Sequence, residues 1–383
     1  MTPDTVNLVV IFLYLLSTVA LGTFMARYIR REEDFFLGGH ALNHRVVAGT
    51  IIATNIAAIY LVGPAGAAYQ GGVPVLLIAW SGNMIAAVSA ALFVPRLRRL
   101  RIMTVTDILE VRYNRFVRLL PVLLWLVYYA LFSGNAIYTL CLSLSSVMPL
   151  SVEALILIVG PVVILYCAAA GLLAVVYTDV LQAFLIILGG VILLPLCLKS
   201  VGGVGQFAAQ LPDSHLVFWK AGDTWPTWKD VVMFTLMGLP YWCTSQYMLQ
   251  RTFAARSIRD ASRGLGLAAL ITGFLTICYV LPGACGRILY GGEQYLENAD
   301  RILPALFRDV IPVGLGGLFI AALIAASNST ASSLLNSIAT LFTNDIYRPM
   351  VKKRTPQHYT WVGRVVTILA GLLGLVFAFN VER

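Results

Sequence analysis

The segment Ala325–Tyr347, AASNSTASSLLNSIATLFTNDIY, decides how this chain is organised. It is crowded with Ser, Thr and Asn, although the sequence around it is strongly apolar. A helix inside a lipid bilayer has no water to satisfy hydroxyl groups, so these groups need partners in the protein or in a ligand. On a helix, residues i, i+3 and i+4 share a face. Ser329, Ser332 and Ser333 therefore form a ladder of hydroxyls.

The composition indicates an all-α integral membrane protein. Of the 383 residues, 59% are hydrophobic and 12% are charged, whereas a soluble domain carries about 25% charged residues. A spanning helix needs about 20 mostly apolar residues. The sequence supplies ten such runs, at 6–28, 46–69, 73–95, 117–146, 152–170, 174–198, 230–250, 264–286, 312–343 and 359–380.

The net charge of +9 is explained by loops rather than by a nucleic-acid surface, because the basic residues lie between apolar runs. With ten crossings, 20 of the 27 Lys and Arg fall on one side and 7 on the other. Cytoplasmic loops are enriched in Lys and Arg. We therefore expect a multi-pass protein of the plasma or inner membrane, with its N-terminus outside and no nucleic-acid partner.

The second apolar run contains polar and helix-breaking residues. Asn55 is followed by Gly63-Pro64 and Gly66. Proline removes a helix hydrogen bond and glycine weakens its neighbours, so we expect an interruption near residues 63–66. A simple proline kink is the alternative. An interrupted membrane helix must satisfy its freed carbonyls within the protein or with an ion.

The hydroxyl ladder has two explanations from the residues alone. Hydroxyl oxygens, together with carbonyls freed by a broken helix, can replace the hydration shell of Na⁺, and transporters place ions beside unwound helices. Alternatively, small Ser, Thr and Ala residues let membrane helices pack closely.

Five stretches give the chain its resemblance to a known family. Asn328–Tyr347 resembles the signature of the sodium/solute symporter family, which includes the sodium–glucose cotransporters. Four further stretches agree in order and spacing: FFLGGHALNH (35–44), AGLLAVVYTDVLQ (170–182), YWCTSQYMLQRTFAAR (241–256) and VLPGACGRILY (280–290). The resemblance covers essentially the whole chain and is closest to the sugar-cotransporter branch.

The resemblance implies a five-plus-five inverted-repeat transporter fold with one preceding helix. Within a single transmembrane domain over 1–383, the preceding helix would be 6–28, the first repeat 46–198 and an incomplete second repeat 230–380. The tenth core helix would be missing. We therefore expect a C-terminally truncated piece that is inactive alone.

The resemblance also implies a main sodium site. Its carbonyl ligands would come from Ala53 and Ile56 on the broken helix and from Ala326 on the serine-rich one. Its hydroxyl ligands would be Ser329 and Thr330.

A second sodium site, found in some members, would use Asp179, Ser329, Ser332 and Ser333. Asp179 is the only acidic residue that we place at the inner end of an apolar span. Ionisable groups in spans are usually functional. The alternative role for Asp179 is capping the helix N-terminus of the sixth span.

The solute pocket and gate would include Asn55, Tyr60, Tyr241, Trp242 and Gln246. The Tyr-Trp pair resembles the family's aromatic pair that closes over the solute. Helix–helix hydrogen bonding is the alternative role for Asn55 and Gln246.

The side chains that bind sugar in the family are not reproduced. The chain has Ile59-Tyr60 and an apolar start of the third span where sugar-transporting members have polar or acidic groups, and Thr272 where some have a basic residue.

The function implied is sodium-coupled secondary active symport of a small organic solute into the cell by alternating access, with a sugar or polyol favoured. Na⁺ would be the coupling ion, and no cofactor or catalytic constellation is expected. Two alternatives stay open: a symporter-like sensor domain of a signalling protein, and a proton-coupled symporter.

Overall fold

The computed structural model consists mainly of long helices. It describes residues 3–29, 31–145, 148, 150–218, 225–291, 298–312 and 315–380. Within these ranges the secondary structure is helical and includes no β-strand. The helices are α1 (Pro3–Ala26), α2 (Glu32–Leu37), α3 (His44–Asn55), α4 (Ala58–Gly71), α5 (Val75–Arg99), α6 (Asp107–Arg112), α7 (Arg115–Ser145), α8 (Val152–Ala169), α9 (Gly171–Ser200), α10 (Val204–Gln210), α11 (Asp213–Leu216), α12 (Trp228–Cys243), α13 (Gln246–Phe253), α14 (Ile258–Tyr290), α15 (Ile302–Asp309), α16 (Gly316–Met350) and α17 (Pro356–Ala378).

Most of the predicted spans are present as helices long and apolar enough to cross a membrane. Eight described helices meet this condition singly, and α3 with α4 makes a ninth span that bends by 59°. The eight are α1, α5, α7, α8, α9, α14, α16 and α17.

The second span is interrupted, but not where the sequence pattern indicated. The chain leaves the helical conformation at Ile56 (φ −88°, ψ 75°) and Ala57 (φ −70°, ψ 158°), while Pro64 lies inside α4. The prediction of a break near residues 63–66 was therefore wrong. A proline removes a single N–H donor, and here the helix continues through it.

The predicted single span at 230–250 is also wrong, because the structure has two helices there. α12 ends with the Thr244 N–H on the Pro240 carbonyl, and Ser245 is extended before α13 begins. All eight residues of α13 are buried in the protein, including Gln246 and Arg251. A segment that is covered by protein can be polar. Each predicted repeat thus begins with an interrupted helix, α3–α4 in the first and α12–α13 in the second.

One glycine makes the turn between α8 and α9. Gly171 has φ 55° and ψ −158°, a conformation that residues with a Cβ rarely adopt. A Cβ at this position would lie 2.5 Å from Cδ2 of Phe35 and 2.6 Å from its carbonyl oxygen. The close approach allows α2 to pack against this turn.

The serine-rich helix α16 is the central element of the fold. In the most apolar 18-residue stretch of α16, 83% is buried inside the protein, compared with 22–44% in the corresponding stretches of the other seven single spans. It packs against α1, α3, α7, α17 and the α8–α9 pair. The hydroxyl ladder therefore faces protein rather than lipid.

The end of α16 carries a second buried carboxylate, in addition to Asp179. Asp345 is fully buried and pairs with Arg118 of α7, with 2.6 Å between the two charged groups, while Thr104 donates to the same carboxylate at 2.8 Å. From the sequence, Asp345 is predicted to lie beyond the span 312–343, whereas the structure buries it within α16. Hydropathy ends a span at the first charges, whereas a paired charge can lie inside the protein.

Candidate sodium and solute site

The interruption of α3 lies directly against the hydroxyl ladder. Thr54, in the last turn of α3, has its hydroxyl oxygen 3.0 Å from that of Ser333 and 3.4 Å from that of Ser329. The Thr54 hydroxyl also bonds the Thr50 carbonyl at 2.8 Å. All four side chains are buried. The ladder and the broken helix thus form one polar cluster in an apolar molecule.

The residues predicted for the main sodium site lie on these two segments. Ile56 donates its N–H to the Ile52 carbonyl at 3.0 Å, which is the last bond of the α3 helix. Carbonyls in the last turn of a helix lack intrahelical partners, and Ala53 lies in that turn. On α16, the Thr330 hydroxyl lies 2.9 Å from the Ala326 carbonyl.

These groups share the chemistry that a small monovalent cation needs. Ala53, Ala326 and Ser329 are completely buried, and Ile56 and Thr330 are 5% and 1% exposed. Neutral hydroxyl and carbonyl oxygens are the hard ligands by which Na⁺ is bound at unwound helices in transporters. These neutral oxygen groups are therefore buried on two helices that meet where Thr54 contacts Ser329 and Ser333.

Of the residues predicted for the second sodium site, Ser329 is in direct contact with Asp179. Ser329 donates to one oxygen of Asp179 at 2.6 Å, and Thr50 donates to the other at 2.5 Å. The Ser332 hydroxyl instead bonds the Ser329 carbonyl on its own helix at 3.0 Å. Asp179 lies within α9 rather than at a helix start, so the helix N-cap alternative for this residue was wrong.

Arg251 lies in the middle of this second set. Its guanidinium donates to the Ser333 hydroxyl, bonds the Thr50 hydroxyl at 3.0 Å and lies 3.5 Å from Asp179. A cation of the protein thus contacts three groups around the predicted second site. From the sequence, Arg251 is predicted to lie in a basic loop after the span 230–250, whereas the structure places it in α13 with its side chain completely buried.

Three residues of the cluster were missed from the sequence. Thr50 and Thr54 are separated by one helical turn just before Asn55, and this hydroxyl spacing is a usable signal. Arg251 follows Gln250 at the edge of a predicted span. A charge adjoining buried amides is a signal for an intramembrane ion pair.

A cavity of about 610 Å³ opens beside the broken helix, between α4, α5, α7, α12 and α14. The predicted pocket residues Asn55, Tyr60, Tyr241 and Trp242 line it. Tyr241 donates to the Asn55 side-chain carbonyl at 2.9 Å. The Tyr241 and Trp242 rings meet edge to face with centroids 5.0 Å apart. The hydrogen bond joins the two interrupted helices at the cavity wall.

Gln246 is the predicted pocket residue that does not line this cavity. It is completely buried, and its side-chain carbonyl accepts the Val105 N–H at 2.9 Å. This contact corresponds to the helix-packing role that the sequence left open for Gln246.

The cavity and the polar cluster both adjoin the break in α3. Ile56 lines the cavity and supplies a predicted sodium carbonyl, while Thr54, two residues earlier, contacts the hydroxyl ladder. A change in the backbone conformation of this break would therefore alter both the cavity wall and the polar cluster. Such a shared element is the physical requirement for coupling between an ion and a solute.

Known proteins resemble this chain over nearly its whole length. The Sodium:solute symporter family matches residues 35–383. A sodium/glucose cotransporter of Vibrio parahaemolyticus is 26% identical over 97% of this chain and 74% of its own length. A sodium/sialic acid symporter of Aliivibrio fischeri is 26% identical over 97% of this chain and 76% of its own length.

Solved structures show the same fold. The substrate-bound, outward-open state of a Na⁺-coupled sialic acid symporter superposes with a TM-score of 0.91, at 24% identity, over 98% of this chain and 82% of that structure. A closed nucleobase–cation symporter superposes with a TM-score of 0.64, at 16% identity, over 87% of this chain and 72% of that structure.

The interrupted helices and the match in fold define a membrane protein with the five-plus-five inverted-repeat fold. The chain belongs to the sodium:solute symporter family. The names of similar proteins include glucose, sialic acid and myo-inositol. Membership of the family therefore does not identify the solute of this protein.

Proposed function

We propose that this protein is a sodium-driven symporter that brings a small organic solute into the cell by alternating access. Na⁺ binds at the junction of α3 and α16, through the carbonyls of Ala53, Ile56 and Ala326 and the hydroxyls of Ser329 and Thr330. The N-terminus lies outside the cell. The observation that carries the proposal is the contact of Thr54 with the ladder at Ser329 and Ser333.

Ion binding is coupled to solute binding through the break in α3. Na⁺ holds the backbone at Ala53 and Ile56 and thereby fixes Asn55, which bonds Tyr241 in the cavity wall. Solute binding and sodium binding then strengthen each other by linkage. The resemblance of the motifs favours a sugar or polyol as the solute, whereas the lining of the pocket favours a solute that is less polar or held differently.

A second Na⁺ would use Asp179, Ser329, Ser332 and Ser333, and we propose that it binds when Arg251 withdraws. Na⁺ and Arg251 would compete for the same acceptor oxygens, because Arg251 already contacts Ser333 and Asp179. Coupling of two ions per solute therefore requires movement of a buried side chain. A sodium Hill coefficient near one, with one ion carried per solute, would contradict a second coupled ion.

A proton-coupled mechanism is less well supported than sodium coupling. It needs a titratable group that is free to exchange protons, whereas the buried carboxylates Asp179 and Asp345 are each paired with an arginine. A sensor role remains the second alternative, and solute uptake into proteoliposomes distinguishes it from transport.

Thermal unfolding of the full-length protein in detergent tests the proposal without knowledge of the solute. We expect Na⁺ to raise the melting temperature relative to K⁺ or choline at equal ionic strength. A ligand at about 100 times its dissociation constant stabilises by roughly 2.7 kcal/mol.

Thr330→Ala should remove the sodium-specific shift. Thr367→Ala is the matched control, because Thr330 and Thr367 are both buried and each donates to a carbonyl one turn back at 2.9 Å. A folded protein without a sodium-specific shift, or equal loss in both variants, would mean that the hydroxyls serve packing alone.

A further inference from the structure

The cavity beside the broken helix has no charged wall. Among the described residues that line it, none is Asp, Glu, Lys, Arg or His. A charged group that leaves water needs an ionic or strongly hydrogen-bonding partner. The nearby ions Arg251 and Asp179 bind within the polar cluster and do not line the cavity. The lining therefore suits an uncharged solute.

Aromatic rings form a large part of the wall. In addition to the edge-to-face pair Tyr241 and Trp242, the rings of Tyr128 and Phe132 stack with centroids 5.7 Å apart and an interplanar angle of 19°. Aromatic faces and edges bind flat apolar surfaces by offset or T-shaped contacts. A solute with a ring face would complement these walls.

One buried polar group in the wall has no partner among the described residues. Thr272 is 3% exposed, and its hydroxyl forms no hydrogen bond there. Buried hydroxyls are nearly always paired. Since Thr272 lines the cavity, its hydroxyl marks the place where a polar group of the solute binds.

Several other polar groups in the wall are already engaged. The Thr276 hydroxyl donates to the Thr272 carbonyl at 2.9 Å, Tyr279 donates to the Ile186 carbonyl, and Tyr241 donates to Asn55. A hexose or inositol would bury many hydroxyls against this wall, and an unpaired buried hydroxyl is strongly unfavourable.

Two amides complete the polar edge. Asn83 lines the cavity from α5, and Asn55 lines it from the end of α3 with its amide N–H₂ group still available to a ligand. Trp80 donates its ring N–H to the Gly273 carbonyl at 2.9 Å, which holds α5 against α14 next to Asn83 and Thr272. The Tyr60 and Tyr128 hydroxyls also line the cavity, but apolar residues outnumber all of its hydrogen-bonding groups.

We propose that the transported solute is an uncharged molecule with an apolar ring face and few hydrogen-bonding groups, less hydroxylated than a free sugar or polyol. Its ring lies against the Tyr241–Trp242 wall, and its polar edge bonds Thr272, Asn83 and Asn55. The inference rests on the proposed transport function. The volume of the cavity is about 610 Å³, which falls within the range of about 300–1,000 Å³ for small-molecule sites.

A carboxylate is the competing case. The backbone N–H groups at the start of α4 and a neighbouring Na⁺ could hold an anion without any basic side chain. The experiment must therefore compare uncharged ring compounds, polyols and carboxylates directly.

Binding is measured by thermal shift and calorimetry on the full-length protein, in Na⁺ and in K⁺. Thymine and benzamide represent uncharged ring compounds with few hydrogen-bonding groups, glucose and myo-inositol represent polyols, and lactate and sialic acid represent carboxylates. We expect sodium-dependent binding of the ring compounds to be at least tenfold tighter than binding of either other class.

Thr272→Val assigns the polar edge. Because the Thr272 hydroxyl has no hydrogen-bond partner in the described part of the chain, this variant should melt at the same or a higher temperature without solute, yet bind the ring compound about 3- to 10-fold more weakly. Thr367→Val is the matched control and should leave solute affinity nearly unchanged, because Thr367 is buried, donates to the Gly363 carbonyl at 2.9 Å and does not line the cavity.

The outcomes separate this inference from the proposed function. A sodium-specific stabilisation together with tighter binding of polyols or carboxylates, no binding of the ring compounds, or no effect of Thr272→Val would overturn the solute class and leave sodium binding standing. Loss of the sodium-specific stabilisation itself would instead count against the proposed function.

Discussion

Arg251 and Asp179 form an ion pair at 3.5 Å between side chains that are both completely buried. Each ion is also held by hydroxyls: Ser329 and Thr50 donate to the carboxylate, and Arg251 donates to Thr50 and Ser333. Removing one partner of a buried pair strands the other charge. The pair therefore contributes to the stability of the core, and under the proposed function it competes with a second Na⁺ for the same oxygens.

We expect Arg251→Gln and Asp179→Asn each to destabilise the protein by about 3–5 kcal/mol, because each leaves an uncompensated buried charge. The double variant should lose much less than the sum, since neither charge remains. Denaturant unfolding in detergent measures this double-mutant cycle. Additive losses would show that the two charges are not coupled.

Arg251→Gln also tests the competition between cations. In this variant the Asp179 carboxylate and the Ser333 hydroxyl no longer contact a guanidinium. Na⁺ should therefore stabilise the variant more than it stabilises the unmodified protein. Melting in Na⁺ and K⁺ gives the comparison. A smaller sodium increment in Arg251→Gln than in the unmodified protein would show that Arg251 supports ion binding instead of competing with it.

Some of this arrangement could be predicted from the sequence, and some could not. The ladder on α16 follows from helical spacing, which is a local property. The break between α12 and α13 lies at Thr244-Ser245, four residues after Pro240, and the apolar pattern alone does not divide the predicted span 230–250 there. The pairings of Arg251 with Asp179 and of Arg118 with Asp345 join residues 72 and 227 positions apart, and only the tertiary fold shows that these charges are buried.

The turn at Gly171 should tolerate no side chain. We expect Gly171→Ala to destabilise by about 2 kcal/mol or more, since a left-handed conformation with a Cβ and close contact with Phe35 both add strain. Gly266→Ala in α14 is the matched control, because nothing lies within 4 Å of the added Cβ there. That helical substitution should be neutral or stabilising. Similar losses in the two variants by denaturant unfolding would contradict this explanation.

The bond from Tyr241 to Asn55 should carry coupling between ion and solute. Tyr241→Phe keeps the aromatic wall but removes this 2.9 Å hydrogen bond. Coupling between two bound ligands is commonly about 5- to 150-fold in affinity, and we expect the sodium enhancement of solute affinity to fall several-fold in this variant.

Tyr128→Phe serves as the control, since Tyr128 lines the same cavity on α7 and is 53% exposed. Calorimetric titration of solute in Na⁺ and in K⁺ measures the enhancement for each protein. An unchanged enhancement in Tyr241→Phe would place the coupling elsewhere.

The most direct test of the sodium site is equilibrium binding of radioactive ²²Na⁺ to the purified full-length protein. We expect saturable binding that unlabelled Na⁺ displaces and K⁺ does not, that Thr330→Ala abolishes or weakens at least tenfold, and that Thr367→Ala leaves unchanged. Absence of saturable binding in the folded protein, or binding that survives Thr330→Ala at full affinity, would contradict a sodium site at the junction of α3 and α16.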